Sequence, residues 1–130
     1  MNVTKEDVKG LSYQQPAVEI KKAAYLFDSD YIGTNRELGK VLSNGFLNAI
    51  GSLSGYSITI IFIGTGVRLT IGGSYVLEPL QKLQDSGAEI LICGTCLDFF
   101  KIRNKVVVGT VSNALEITER LTSADKTIKF

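Results

Sequence analysis

Short unbroken apolar runs alternate with helical apolar stripes, and this alternation constrains the chain more than any other feature. Ile90-Leu91-Ile92-Cys93, preceded by Gly87-Ala88-Glu89, has the continuous apolar character of a parallel strand buried on both faces. Residues 57–63 are β-branched and apolar, which again suits a central strand. Ahead of the 57–63 run, Leu38, Val41, Leu42, Gly45, Phe46, Ala49, Ile50 and Leu53 recur at steps of three and four. That spacing makes one continuous stripe along a helix, expected to face the core. Strands alternating with helices require parallel β/α units with right-handed crossovers. The fold class expected is therefore α/β, a three-layer α/β/α domain with a parallel sheet of about five strands.

The remaining boundaries follow from turn and cap chemistry. Residues 23–27 form a first strand that runs into the turn-rich Asp28-Ser29-Asp30-Tyr31-Ile32-Gly33-Thr34-Asn35. Thr34 and Glu37 have capping-box spacing for the first helix. The 57–63 strand breaks at Gly64-Thr65-Gly66, continues through Val67-Arg68-Leu69-Thr70 and stops at Gly72-Gly73. Ser74 is the expected N-cap of a helix reaching about residue 86, with Leu77, Leu80 and Leu83 inward. Pro79 sits late for a first turn, so that helix is either kinked or starts near Glu78. Gly87 suits the C′ position after it. Residues 105–109 read as a fourth strand, Ser112 as the cap of a last helix carrying Leu115, Thr118 and Leu121, and residues 126–130 as an edge strand with charged positions. Residues 1–20 read as an N-terminal arm and residues 21–130 as the domain.

Composition enters mainly by exclusion. A net charge of +1 gives no basis for nucleic acid or an anionic membrane as partner. The longest apolar run is far short of the ~20 residues of a spanning helix. Met1-Asn2-Val3-Thr4-Lys5-Glu6-Asp7 lacks the apolar core of a signal peptide, so a cytoplasmic location is expected, where thiols stay reduced. Histidine is absent, which excludes a Ser-His-Asp triad or Cys-His dyad within one chain. A zinc site would have two thiolates and then only carboxylates, unless a second subunit contributed. No metal and no organic cofactor is expected.

The two cysteines of the chain, Cys93 and Cys96, stand where the third strand ends. In open α/β sheets the carboxyl ends of the strands face the ligand crevice, so a thiol there meets incoming molecules. Cys93 is the candidate nucleophile, and Cys96 can resolve a persulfide on Cys93 or form a disulfide with it. Gly94 lets the backbone approach a substrate closely, and the N–H groups of the Gly94-Thr95-Cys96 turn can stabilise an anion if they open a helix. Arg68 is the nearest cation and a candidate for orienting an anionic donor, against a solvated surface arginine. Asp28 and Asp30 follow the first strand and either line the same crevice or serve turn chemistry. Gly64-Thr65-Gly66 lacks the third glycine of a dinucleotide fingerprint, position 69 being leucine, and reads as a structural turn. A Cys-x-x-Cys after the third strand rather than the first is unlike a thioredoxin-type oxidoreductase. The inert reading is a buried structural cysteine at a strand end.

Four blocks carry a family resemblance. Asn35-Arg36-Glu37-Leu38-Gly39, Gly66-Val67-Arg68-Leu69, Ile92-Cys93-Gly94-Thr95-Cys96-Leu97-Asp98-Phe99 and Val108-Gly109-Thr110-Val111-Ser112-Asn113 together resemble the DsrE/DsrF-like family. More narrowly, they resemble the C-terminal domain of the YedF-type proteins linked with selenium metabolism. The resemblance implies a five-stranded parallel sheet, assembly into a homo-oligomer (trimer or hexamer), and a strand-end cysteine that relays sulfur as a persulfide. The cysteine in that position is Cys93, and the implied partners are sulfur-carrier or sulfur-donor proteins. Residues 10–23 resemble the opening motif of TusA-like sulfur carriers, but Tyr13 stands at the carrier-cysteine position and cannot hold a persulfide. The expected function is a sulfurtransferase-like relay of persulfide sulfur, or of selenium, with Cys93 and Cys96 as thiols and Gly94, Thr95, Arg68 and Asp28 around the substrate. The alternative is a non-catalytic oligomeric scaffold or regulator whose cysteines are structural.

Overall fold

The computed structural model describes residues 19–130. The expected arm falls on residues 1–20, so all of it but Glu19 and Ile20 lies outside the described residues, as does Tyr13. The chain runs β1 (Lys21–Phe27), α1 (Arg36–Gly51), β2 (Tyr56–Phe62), a 3-10 segment (Gly64–Thr70), α2 (Leu77–Asp85), β3 (Glu89–Cys93), α3 (Gly94–Phe99), a short 3-10 turn (Arg103–Lys105), β4 (Thr110–Ser112), α4 (Ala114–Ser123) and β5 (Lys126–Lys129). The five strands form one sheet in the order β4-β3-β2-β1-β5, and every neighbouring pair is parallel. This is the expected fold class.

Strand alternation divides the interior into two cores. Ile60, Phe62, Ile90 and Ile92 point to the main core with Leu47 and Ile50 of α1 and Leu80 and Leu83 of α2. Ile61 and Leu91 point to the other face and meet Ile117 of α4. Ile60, Ile61, Phe62 and Ile92 are completely buried, as their unbroken apolar runs require. At the open edge Phe130 stacks on Phe27, ring centres 4.9 Å apart, so β5 is anchored by an aromatic contact although its four residues are exposed. Among the described residues, no helix is long and apolar enough to cross a membrane.

Several local expectations are corrected. The stretch after β2 does not continue as a strand but winds into the 3-10 segment Gly64–Thr70. Gly64 takes φ +56°, and a Cβ on Gly66 would lie 2.5 Å from the Phe27 carbonyl oxygen, so the chain folds down onto the end of β1. The expected fourth strand at 105–109 is a connector. Val106 makes only an isolated antiparallel bridge to Ile71, and Val107 N–H donates to the Thr70 carbonyl at 2.9 Å, so the segment braces the 3-10 exit and true pairing begins at Thr110. Asn35, not Thr34, caps α1, its Oδ1 accepting the Leu38 N–H at 3.0 Å. Likewise Asn113, not Ser112, caps α4, and Ile117 rather than Leu115 faces inward. Ser74 does not cap α2, which starts at Leu77 and so takes Pro79 into its first turn. The helix ends as expected: Gly87 N–H donates to the Gln84 carbonyl and Ala88 N–H to the Leu83 carbonyl, the paired bonds of a Schellman motif that delivers the chain into β3.

The α1 stripe is the largest correction. Gly39, Ser43, Leu47 and Ile50 are the residues this helix buries. Leu38, Val41, Phe46 and Leu53 are 56%, 69%, 43% and 47% exposed. At 3.6 residues per turn the apolar stripe sits roughly a third of a turn round from the buried line. Small residues do the inward packing: a Cβ on Gly39 would lie 2.4 Å from the Ile32 carbonyl oxygen, and Ser43 Oγ donates to the Gly39 carbonyl at 2.8 Å.

Candidate functional site

Strand β3 and helix α3 are contiguous, so Cys93 is at once the last strand residue and the N-cap of α3. Cys96 lies in the first turn, three residues on, which brings the two side chains to the same side of the turn. Both thiols are free and half-buried. Cys93 touches both cores and pairs in register with Ser112 of β4. Ser112 is buried, and its hydroxyl meets Glu116 Oε1 at 2.5 Å. The end of β3 is thus fixed on both sides, while the half-buried sulfurs keep an open edge.

The second wall of the site comes from the start of the 3-10 segment that follows β2. Gly64 N–H donates to Cys96 Sγ at 3.2 Å. The peptide that supplies this donor is held by the left-handed conformation of Gly64, whose α-carbon faces the Asp28 carbonyl. Burial pushes the Cys96 thiol above its ordinary pKa, the Gly64 N–H works against that rise, and the neighbouring Cys93 thiol adds to it.

Gly94 begins α3 where no side chain fits: a Cβ would lie 2.8 Å from Arg103 Nη2 and 3.1 Å from the Ser112 carbonyl oxygen. Arg103 makes a two-bond pair with Asp98, 2.7 and 2.9 Å, and donates to the Gly94 carbonyl at 3.4 Å. That pair holds the Asp98 carboxyl below the usual range and ties α3 to the turn that follows. Thr95 is exposed on the first turn of α3. Arg68 lies with its guanidinium 4.4 Å from the Phe100 ring centre, a cation–π contact against the same short helix segment.

The structure therefore gathers Cys93, Gly94, Thr95 and Cys96, with Arg68 on their flank. It does not bring the Asp28 carboxylate to them. Asp28 follows β1, which β2 separates from β3; its carbonyl backs Gly64, but its carboxylate pairs with Lys129 of β5 at 3.0 Å. Asp30 serves the neighbouring turn, its N–H donating to Thr65 Oγ1 and its carbonyl accepting from Tyr75. A polar hollow of about 240 Å3 lined by Lys22, Thr59, Glu89 and Arg120 is at the opposite ends of the strands. Two participants were missed by sequence reasoning. The Gly64 amide carries no side-chain signal, and Arg103 sat unnoticed in a polar patch five residues after its partner. Among the described residues, no cluster of three or more His, Cys, Asp or Glu side chains is placed to hold a metal ion.

The model of the DsrE/DsrF-like family matches residues 3–130. The fold is similar to that of the ychN protein from E. coli, with a TM-score of 0.61 at 17% identity over 85% of this chain and 98% of that one. It is similar also to MTH1491 from Methanobacterium thermoautotrophicum, a protein of unknown function, with a TM-score of 0.65 at 17% identity over 85% of this chain and 99% of that one. BT1422 from Bacteroides thetaiotaomicron, a conserved protein of unknown function, aligns with a TM-score of 0.62 at 19% identity over 85% and 95% of the two chains. At these identities the likeness is one of fold. Among curated proteins, none matches the sequence.

Proposed function

The chain belongs to the DsrE/DsrF-like family, and from that premise we propose that it relays sulfane sulfur on Cys93. One observation carries the reading: a half-buried free thiol ends a parallel strand at the carboxyl edge of the sheet, where such folds receive ligands. In the proposed step the Cys93 thiolate attacks the terminal sulfur of a donor persulfide. The donor's S–S bond breaks, the donor leaves as a thiolate, and Cys93 becomes the persulfide. Transfer to an acceptor thiol repeats the exchange in the other direction. Thr95 and Arg68 border the approach, and Arg68 favours donors and acceptors that carry negative charge.

The Ile92–Phe99 block supports the finer assignment to the YedF-type proteins, in which selenium takes the place of sulfur on the same residue. The partners are sulfur-carrier or sulfur-donor proteins in a reducing compartment. The protein acts as a homo-oligomer, and the outward apolar residues Leu38, Val41 and Phe46 of α1, with Leu53 just after it, support this, being poorly placed in water.

Cyanolysis tests the relay. After incubation with glutathione persulfide and desalting, Cys96→Ser protein should yield one thiocyanate per chain, and Cys93→Ser protein none. Equal yields from the two variants, or none from either, would show that Cys93 is not the carrier and would favour the scaffold reading.

A further inference from the structure

We propose that the Cys93–Cys96 pair also reduces the sulfur it accepts, discharging it as sulfide when no acceptor is bound. The inference rests on the relay reading, and its ground is the placement of Cys96. That thiol is on the turn that starts at Cys93, next to the Cys93 sulfur, and the backbone N–H of Gly64, at the start of the 3-10 segment, holds it there. A spectator core cysteine needs no donor at its sulfur. Cys96 has one 3.2 Å away, supplied by a glycine in a strained-for-others conformation.

Once Cys93 carries an anionic persulfide, Cys96 attacks the Cys93 sulfur. The Cys96 S–H bond and the Cys93 S–S bond break, and a Cys93–Cys96 bond forms. The Cys96 proton leaves with the outer sulfur as HS⁻. Charge is conserved: one anion enters and one leaves. The outer sulfur gains two electrons, and the two cysteine thiols become a disulfide. Cys93 is the N-cap of α3 and Cys96 the third residue of the helix, so the bridge closes within one turn. It reopens by exchange with an external thiol reductant. Two equivalents of that thiol restore the starting state. An intramolecular thiol so placed outruns external thiol at millimolar concentration by about a hundredfold or more.

The test uses the full chain with both cysteines reduced, loaded with glutathione persulfide and freed of small molecules. Wild-type protein should release one sulfide per chain without added thiol and emerge two hydrogen masses lighter, with its cysteines closed to alkylation. Cys96→Ser and Cys96→Ala should keep the mass of one extra sulfur and release sulfide about a hundredfold more slowly. If wild-type protein holds its sulfur as long as these variants do, the reduction is refuted while the relay stands. If none of the three takes up sulfur, the relay itself is refuted and the reduction with it.

Discussion

Replacing Gly64 by alanine probes the joint between β2 and the thiol site. The residue is at φ +56°, where an alanine costs about 1–2 kcal/mol. The new Cβ would also lie 2.8 Å from the Asp28 carbonyl oxygen, a backbone atom that cannot rotate away. Overpacking of that kind costs about 1–3 kcal/mol. The sum is about 3 kcal/mol, which a urea slope of about 2 kcal/mol/M converts into a midpoint lowered by roughly 1.5 M. Gly33→Ala is the matched control, because it shares a left-handed backbone at φ +78° but has nothing within 4 Å of the added carbon. It should lose about 1 kcal/mol. Equilibrium urea unfolding of both variants isolates the contact with β1. A Gly64→Ala midpoint no lower than that of Gly33→Ala would refute the close approach and the fixed donor built on it.

Four further outcomes are expected. With Cys93 replaced by serine, iodoacetamide should label Cys96 more slowly than it labels glutathione at pH 7.5, and the rate should climb as pH rises past the ordinary thiol value, because burial raises the Cys96 pKa. The Arg120 guanidinium, 2.7 Å from Glu89, holds that carboxyl below its ordinary 4.5. A lowered folded pKa stabilises the fold above the unfolded value and is lost as pH falls through the folded one, so the urea midpoint should drop below about pH 4.5 less steeply in Glu89→Gln than in wild type. Leu97 is completely buried beneath the cysteine turn, and Leu97→Ala should cost about 2–5 kcal/mol by the same assay. Val41→Lys together with Leu38→Lys should leave the folded chain intact but reduce its mass by light scattering to that of one chain, since both positions are exposed.

Strands β1, β2 and β3 were legible because each holds an apolar run, residues 23–25, 60–62 and 90–92, buried on both faces. The cysteine turn was legible for a related reason: the only thiols of the chain follow such a run directly. The apolar residues at 106–108 mimic the same signal, yet Val106 and Val107 bind the 3-10 exit in a loop-to-loop pairing that no local pattern announces. Periodicity identified α1 but not its inward face, because Gly39 and Ser43 pack closely by being small and the larger side chains are left outside. Asp28 was grouped with the cysteines because both follow strands. Strand order separates them, since β2 lies between, and order across a sheet is not written in any one stretch. The Gly64 amide was invisible for a plainer reason, being a backbone group shared by every residue but proline.

Peptide mass spectrometry on persulfide-loaded Cys96→Ser protein, with free thiols and persulfides blocked before digestion, tests the sulfur-carrying role of Cys93 most directly. The account predicts one additional sulfur on the peptide containing Cys93. A Cys93 that is blocked as an ordinary thiol, or that reacts only after denaturation, would contradict it.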